Sequence, residues 1–188
     1  MSAEEVLDLL DARRGHFLLE SGHHGDLWLE LDRLFVRPAR LETFAEELGR
    51  RLAAHGIDGL CGPLTGGAFL AETAAAKLDL EFSWAERSED GYRIPAPLRS
   101  GLEGKTVAIV DDVVNAASAS RATLEELGAC GARTVALGAL VTLGSTPDAF
   151  AEREGLALER LATLPNSLWD PSDCPMCAAG EPPLEKPG

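Results

Sequence analysis

VAIVDDVVNAASAS, residues 107–120, is the stretch that decides the fold of this 188-residue chain. Four apolar residues precede two aspartates, two valines follow, and small residues then open a helix that we predict over Ser118–Leu127. The β-branched run Thr106–Val110 is typical of a strand buried on both faces of a sheet. A buried strand, a loop of small residues and a helix together predict a βαβ unit in a parallel sheet.

The flanking sequence repeats this alternation of strands and helices. Residues Gly59–Pro63 form a predicted strand, followed by the turn LTGG and the helix AFLAETAAAKL. Further strands are predicted at Glu81–Ala85, Thr134–Leu143 and Leu156–Leu161, with helices at Ala3–Arg14, Leu41–His55 and Asp148–Glu154. The segments His16–Leu19 and Leu27–Leu31 predict a hairpin or paired strands. We therefore expect an α/β fold with a mainly parallel twisted sheet flanked by helices.

The stretch Glu86–Lys105 interrupts this pattern, because it mixes charged residues with two prolines and three glycines. Such a composition predicts a mobile loop or an exposed hairpin rather than a part of the core.

Net charge excludes one class of partner. The chain carries a formal charge of −14 with a pI of about 4.6, which argues against a broad nucleic-acid-binding surface. No apolar run reaches the roughly 18 residues of a membrane span, and the acidic amphipathic N-terminus does not resemble a secretory signal. We expect a cytoplasmic protein that binds neither nucleic acid nor membranes.

The aspartates and the small residues after them fit a phosphorylated sugar. The carboxylates of Asp111 and Asp112 can accept hydrogen bonds from vicinal ribose hydroxyls. The backbone N–H groups of Asn115–Ser120, with the hydroxyls of Ser118 and Ser120, can surround a phosphate at the positive end of a helix. The alternative is that the two acids cap a helix or end a buried strand.

The whole run resembles the phosphoribosyl-diphosphate (PRPP) motif of type I phosphoribosyltransferases. The loop Gly62–Gly67, GPLTGG, is similar to the diphosphate-binding loop of that family, and GHFLLESGHHGDLWLELDRLF, residues 15–35, is similar to the N-terminal part of its orotate branch. The resemblance implies one domain over residues 1–165, with an N-terminal hood at about 15–36 and a catalytic lid at about 86–101. Residues 166–188 remain as a C-terminal tail.

This resemblance also implies roles for individual residues. Asp111 and Asp112 would hold the ribose, Arg87 would join them in catalysis, and Arg93 and Arg99 are further lid cations for the leaving diphosphate. The 5′-phosphate would be bound by Asn115, Ala116, Ala117, Ser118 and Ala119, and the diphosphate by Thr65, Gly66 and Gly67. The family uses Mg²⁺ held with PRPP, is commonly homodimeric, and transfers phosphoribosyl to a nucleobase. Trp28 could stack on that base or simply pack in the core.

Several positions depart from the family pattern. The lid has no lysine, Glu20 stands where a lysine is usual, and LVTLGSTPD, residues 140–148, lacks the arginine that pairs with the orotate carboxylate. Ala117 replaces a usual glycine, at a cost of roughly 1 kcal/mol if its φ is positive. These departures favour a second hypothesis, a non-catalytic sensor of PRPP or a nucleotide. Another doubly wound nucleotide binder would leave Gly62–Gly67 unexplained.

The segment Cys174–Cys177 forms a CxxC motif and resembles half of a zinc knuckle. Its missing ligands could come from His23, from His24, or from the same motif of a second subunit. Cys61 and Cys130 lie in apolar segments and are expected to be buried. The alternative is two thiols in a docked tail without metal.

Overall fold

The computed structural model describes residues 5–6, 10, 12–19, 22–89 and 91–183, apart from the side chains of Asp32 and Arg33. The strands are β1 Arg13–Leu18, β2 His24–Trp28, β3 Gly59–Pro63, β4 Glu81–Ser88, β5 Gly91–Arg93, β6 Thr106–Val114, β7 Arg133–Leu143, β8 Ala157–Leu164 and β9 Leu168–Trp169. The α-helices are α1 Asp32–Val36, α2 Pro38–Ala53, α3 Gly66–Leu78, α4 Ala96–Arg99, α5 Ser118–Ala129, α6 Thr146–Glu154 and α7 Pro175–Ala178, with 3-10 turns at Ser100–Leu102 and Pro171–Asp173.

A six-stranded sheet forms the centre of the molecule. Its strand order is β5-β4-β3-β6-β7-β8, and every pair is parallel except β4–β5. The predicted mainly parallel α/β fold is therefore confirmed. A strand buried on both faces needs apolar side chains pointing both ways, and β6 provides them. Ala108 and Val110 pack with α2 and α3, whereas Val107 and Ile109 pack with α5 and α6 on the other face.

Strand β6 is longer than the apolar run that predicted it. Pairing with β7 continues to Val114, so Asp111 and Asp112 lie within the strand and not beyond its end. The two acids are consequently held by the ladder of the sheet rather than by a loop.

The predicted N-terminal helix is wrong at its C-terminal end. Arg13 and Arg14 belong to β1, and Gly15, expected to end the helix, lies inside that strand. Antiparallel pairing of β1 with β2 overrides the local helical pattern. This pairing confirms that the two predicted segments form paired strands, but β2 ends at Trp28, three residues before the predicted strand ended. Residues 3, 4, 7–9 and 11 of the predicted helix lie outside the described residues, while Val6 and Leu10 are buried in the core.

Strand β9 adds a third strand to this hairpin. It pairs with β2 through His24 opposite Trp169 and Gly25 opposite Leu168. We call the three strands β1, β2 and β9 the hood sheet. The C-terminal tail thus docks on the N-terminal part of the chain. Within the described ranges, no helix has the length and apolar character needed to cross a membrane.

The segment after β4 is a hairpin, as one of the two sequence interpretations expected. Arg87 pairs with Tyr92 across β4 and β5, and Asp90 between the strands lies outside the described residues. The base of the hairpin is not an exposed loop, because Ile94 is buried and its backbone N–H donates to Glu126 Oε2 at 3.2 Å. Glu126 therefore ties this segment to α5.

Candidate active site

The two glycine- and small-residue loops predicted to bind phosphates meet at one edge of the sheet. They follow β3 and β6, which are neighbouring parallel strands, so both lie at the carboxyl edge where ligands of open α/β sheets bind. A Cβ at Gly67 would come within 2.8 Å of Asp111 Oδ1 and of the Val110 carbonyl oxygen, and a Cβ at Gly66 would collide with the Asp112 carboxylate. Glycine is needed at both positions for this close approach.

Asp111 and Asp112 are buried at 8% and 9% exposure. The Asp112 N–H donates to Asp111 Oδ1 at 3.1 Å, and the Val113 N–H donates to Asp112 Oδ1 at 2.8 Å. Burial and the adjacent Asp112 carboxylate raise the pKa of Asp111 well above its ordinary value. Two crowded acids of this kind are stabilised by a ligand that donates hydroxyl hydrogens or brings a cation.

The small-residue loop after β6 lines a cavity of about 530 Å³. We call it the phosphate cavity, and it is lined by Asp111, Val113–Ser120, His23, Leu168 and Asp170. Asp112 does not line it. Ala117, just before α5, has φ 57° and ψ 22°, so the alanine does occupy the left-handed conformation that favours glycine. The helix begins at Ser118, and its first N–H groups are available to an anion.

Two further side chains lie beside this loop, one that the sequence analysis offered to the phosphate and one that it missed. The Ser120 hydroxyl is buried and has no hydrogen-bond partner among the described residues, which leaves a donor unused beside the cavity. Asn166, which sequence reasoning missed, donates from Nδ2 to Asn115 Oδ1 at 3.4 Å and links the tail to the loop. Nothing in the local pattern around Asn166 marks it, because the contact spans 51 residues.

The hairpin β4–β5 reaches the same edge of the sheet. Tyr92 donates from its hydroxyl to the Leu64 carbonyl oxygen at 3.5 Å. The pKa of Tyr92 is raised above its ordinary value, chiefly by burial. The nearby Arg87 opposes this rise, whereas Asp111 and Asp112 add to it, so the four groups share one electrostatic environment. The sequence analysis missed Tyr92. The signal that could have found it is that the single tyrosine of the chain lies inside the predicted lid.

Of the other predicted side chains, His23 lines the phosphate cavity, whereas Arg99 and Trp28 do not. Arg99 forms an ion pair with Glu126 at 2.6 Å, so this lid cation stabilises the base of the hairpin. Trp28 packs against Phe17 with ring centroids 5.9 Å apart, and it does not line the phosphate cavity. His23 does line the cavity, with Nε2 3.6 Å from Asp170 Oδ1.

The CxxC motif does not line the phosphate cavity. Cys174 and Cys177 cluster with His16 and His24. Of the two histidines offered by the sequence, His24 is therefore present and His23 is not, while His16 was missed because only pairing of β1 with β2 brings it there. Cys61 and Cys130 are buried elsewhere, as expected.

Comparisons with known proteins agree with this geometry. The sequence model of the phosphoribosyl transferase domain matches residues 36–152. Orotate phosphoribosyltransferase of Caldanaerobacter subterraneus subsp. tengcongensis is 30% identical and is aligned over 100% of this chain and 98% of its own length. The enzyme of the same name from Thermotoga maritima is 33% identical over 98% and 96% of the two chains.

Solved structures show the same fold at lower identity. Orotate phosphoribosyltransferase from Aeropyrum pernix superposes with a TM-score of 0.70 at 21% identity, covering 87% of this chain and 94% of its own. Adenine phosphoribosyltransferase from Thermoanaerobacter pseudethanolicus gives a TM-score of 0.68 at 16% identity, covering 87% and 100%.

Proposed function

Because the chain belongs to the phosphoribosyltransferase family, in its orotate-like branch, we propose that it transfers the phosphoribosyl group of PRPP to a nucleobase and releases diphosphate. The single observation that carries the proposal is the meeting of Gly66 and Gly67 with Asp111 and Asp112. One loop suits a diphosphate, the acids suit a ribose, and the cavity after β6 suits a 5′-phosphate.

The roles of the chain's own groups follow from their chemistry. Asp111 and Asp112 accept hydrogen bonds from the ribose hydroxyls, and the N–H groups of residues 115–119 hold the 5′-phosphate. Thr65, Gly66 and Gly67 offer backbone N–H groups to the diphosphate. These contacts fix the anomeric carbon between the leaving group and the incoming base, which supplies orientation as the main catalytic contribution.

Mg²⁺ fits the donors of this site. The two carboxylates offer the oxygen ligands that Mg²⁺ prefers, and their mutual repulsion favours a nearby cation. When bound with PRPP, Mg²⁺ would supply neutralising charge for the diphosphate. Arg87 supplies a second positive charge from the lid, where it stabilises the negative charge that develops on the leaving group.

The acceptor is a pyrimidine, and orotate is the first to test, because the curated relatives carry the name of orotate phosphoribosyltransferase. The stretch LVTLGSTPD lacks a cation for the orotate carboxylate. We therefore expect a base without a carboxylate to compete better here than at a site with that arginine.

A second candidate function is binding of PRPP without transfer. Ala117 favours it, because its left-handed backbone and buried methyl group lie in the phosphate loop. The segment between Glu86 and Gly104 also contains no lysine.

Calorimetric titration with PRPP and Mg²⁺, followed by diphosphate release with orotate, uracil and a purine panel, tests both functions. Transfer predicts binding and turnover with one base, and binding without turnover selects the sensor. The Asp111→Asn/Asp112→Asn variant should lose PRPP binding and keep its circular dichroism spectrum, whereas Glu125→Gln, an exposed acid on the same helix-loop unit, should bind normally. Unchanged affinity in the double variant would refute the ribose assignment.

We extend the proposal to the working form of the protein. It comprises one catalytic domain over residues 1–165 with a tail, acts in the cytoplasm, and forms a homodimer as the family commonly does. Light scattering of the purified chain, with and without PRPP, tests the dimer.

A further inference from the structure

Four potential metal ligands converge beneath the hood sheet. His16 lies on β1, His24 lies on β2, and Cys174 and Cys177 bracket the start of α7. Their ligand atoms all lie within 4.8 Å of one another. The chain has four histidines and four cysteines, so two of each have been gathered from segments about 150 residues apart.

The spacing of these atoms matches a tetrahedral ion. Bonds of about 2.0–2.1 Å to nitrogen and about 2.3 Å to sulfur place neighbouring ligand atoms about 3.3–3.8 Å apart. The distances are 3.0 Å from His16 Nε2 to His24 Nδ1, 3.3 Å from Cys174 Sγ to His16 Nε2, and 3.3 Å from Cys177 Sγ to His24 Nδ1. The fourth, from Cys177 Sγ to His16 Nε2, is 3.9 Å. These four separations differ from the tetrahedral values by a few tenths of an ångström, and the other two are no longer than 4.8 Å, so one ion fits after small side-chain shifts.

The far side of His16 is arranged as metal-binding histidines usually are. His16 Nδ1 lies 2.7 Å from the Glu181 carbonyl oxygen. A carbonyl only accepts, so Nδ1 carries the hydrogen and the Nε2 lone pair faces the cluster. Such an outer hydrogen bond fixes the tautomer and orientation of a ligating imidazole.

We propose that His16, His24, Cys174 and Cys177 bind one structural Zn²⁺ that fastens the C-terminal tail to the hood sheet. Two imidazole nitrogens and two thiolates are the donor set of closed structural zinc sites. Binding displaces the two thiol protons to solvent, so the ion and its ligands are together neutral. Neutrality suits a site in which His16, His24 and Cys174 are all buried.

The fold gives this ion a task. The hood sheet has three short strands, and β9 contributes only two residues to it. So short a third strand contributes few pairing hydrogen bonds, and metal binding would add folding free energy directly. The same tail carries Leu168 and Asp170 into the wall of the phosphate cavity. A zinc ion at the cluster would therefore hold that wall in place.

Metal analysis of the full chain, purified without chelator under reducing conditions, tests the site independently of any PRPP activity. We expect about one zinc per chain. Cys177→Ser and His24→Ala should lose it, while the matched controls Cys130→Ser and His23→Ala should keep it. Replacement of the zinc by Co²⁺ should give the visible absorption of a tetrahedral thiolate site in the wild-type protein and the control variants, and not in the cluster variants.

If a variant fails to fold, removal of zinc from the wild-type protein by a chelator provides a second test. Strong chelation of zinc should lower Tm by at least about 5 °C, and added Zn²⁺ should restore it. No zinc uptake by the reduced protein, equal zinc in the cluster variants and the controls, or a Cys174–Cys177 disulfide that persists after reduction would each overturn the proposal. Stoichiometric iron in place of zinc would overturn the identity of the ion.

Discussion

Replacing Gly66 with alanine should separate ligand binding from folding. The new methyl group would collide with the Asp112 carboxylate, and its three nearest atoms all belong to that side chain, the second and third at 2.7 and 3.2 Å. The obstacle is the end of a flexible side chain, so the strain is relieved when Asp112 rotates away. The variant therefore keeps its fold and displaces one of the two acids assigned to the ribose.

The two effects have different sizes. Rotation of Asp112 removes its hydrogen bond from the Val113 N–H, at a cost of about 1 kcal/mol, and Gly→Ala recovers about 0.4–1 kcal/mol by restricting the unfolded chain. Tm should then change by less than about 4 °C. Loss of a charged hydrogen bond to the ribose is worth about 1.5–3 kcal/mol, so PRPP affinity should fall about 10- to 150-fold.

Calorimetric titration and thermal unfolding of the same samples measure both effects. Gly128→Ala is the matched control, because a methyl group there meets nothing within 4 Å and lies inside α5. It should raise Tm by about 2–4 °C and leave PRPP affinity unchanged. Wild-type affinity in Gly66→Ala would refute the role of Asp112, and unfolding of that variant would refute the reasoning about the contact.

Three further variants test the remaining parts of the site. In a diphosphate-release assay, Arg87→Gln should lower kcat by about 10²-fold with little change in PRPP affinity. The control Arg133→Gln, at the opposite edge of the sheet, should behave as wild type. Ala117→Gly relieves about 1–2 kcal/mol of left-handed strain, but it also removes a buried methyl group and increases the entropy of the unfolded chain. The free energy of unfolding, measured in urea, should therefore change by less than about 1 kcal/mol, and PRPP binding should persist. Because the pKa of Asp111 is raised, the folded protein retains a proton that the unfolded chain releases, and stability falls as pH rises above the ordinary value of 3.8. Urea unfolding from about pH 4 to about pH 7 should therefore show Asp111→Asn gaining stability relative to wild type, and parallel curves would contradict this sign.

The central sheet could be predicted because its signals are local. Strands β3, β6 and β7 are short apolar runs, each followed by a turn and a helix, and these patterns do not depend on distant contacts. The N-terminal helix failed for the opposite reason. Arg13 and Arg14 were assigned from local periodicity, but they pair with β2, and no local pattern encodes a partner strand.

The same distinction divides the site. Asp111, Asp112 and the glycines of the LTGG turn share recognisable stretches of sequence, and the structure brings them together at one edge. Tyr92, Asn166 and His16 each act through a residue far away in the chain. Their positions depend on the hairpin, the docked tail and the hood sheet, so they could not be identified before those elements were assembled.

The position of β9 in the hood sheet has a consequence for synthesis of the chain. The partner of β2, Leu168–Trp169, is made about 140 residues after β2 itself. At translation rates of about 5–20 residues per second, the hairpin β1–β2 waits about 7–28 s before its third strand exists. During that interval one edge of β2 is unpaired and open to other chains. The hood sheet is thus completed only after the strands of the central sheet have been made, and crowded ribosomes expose this protein to misassembly at β2.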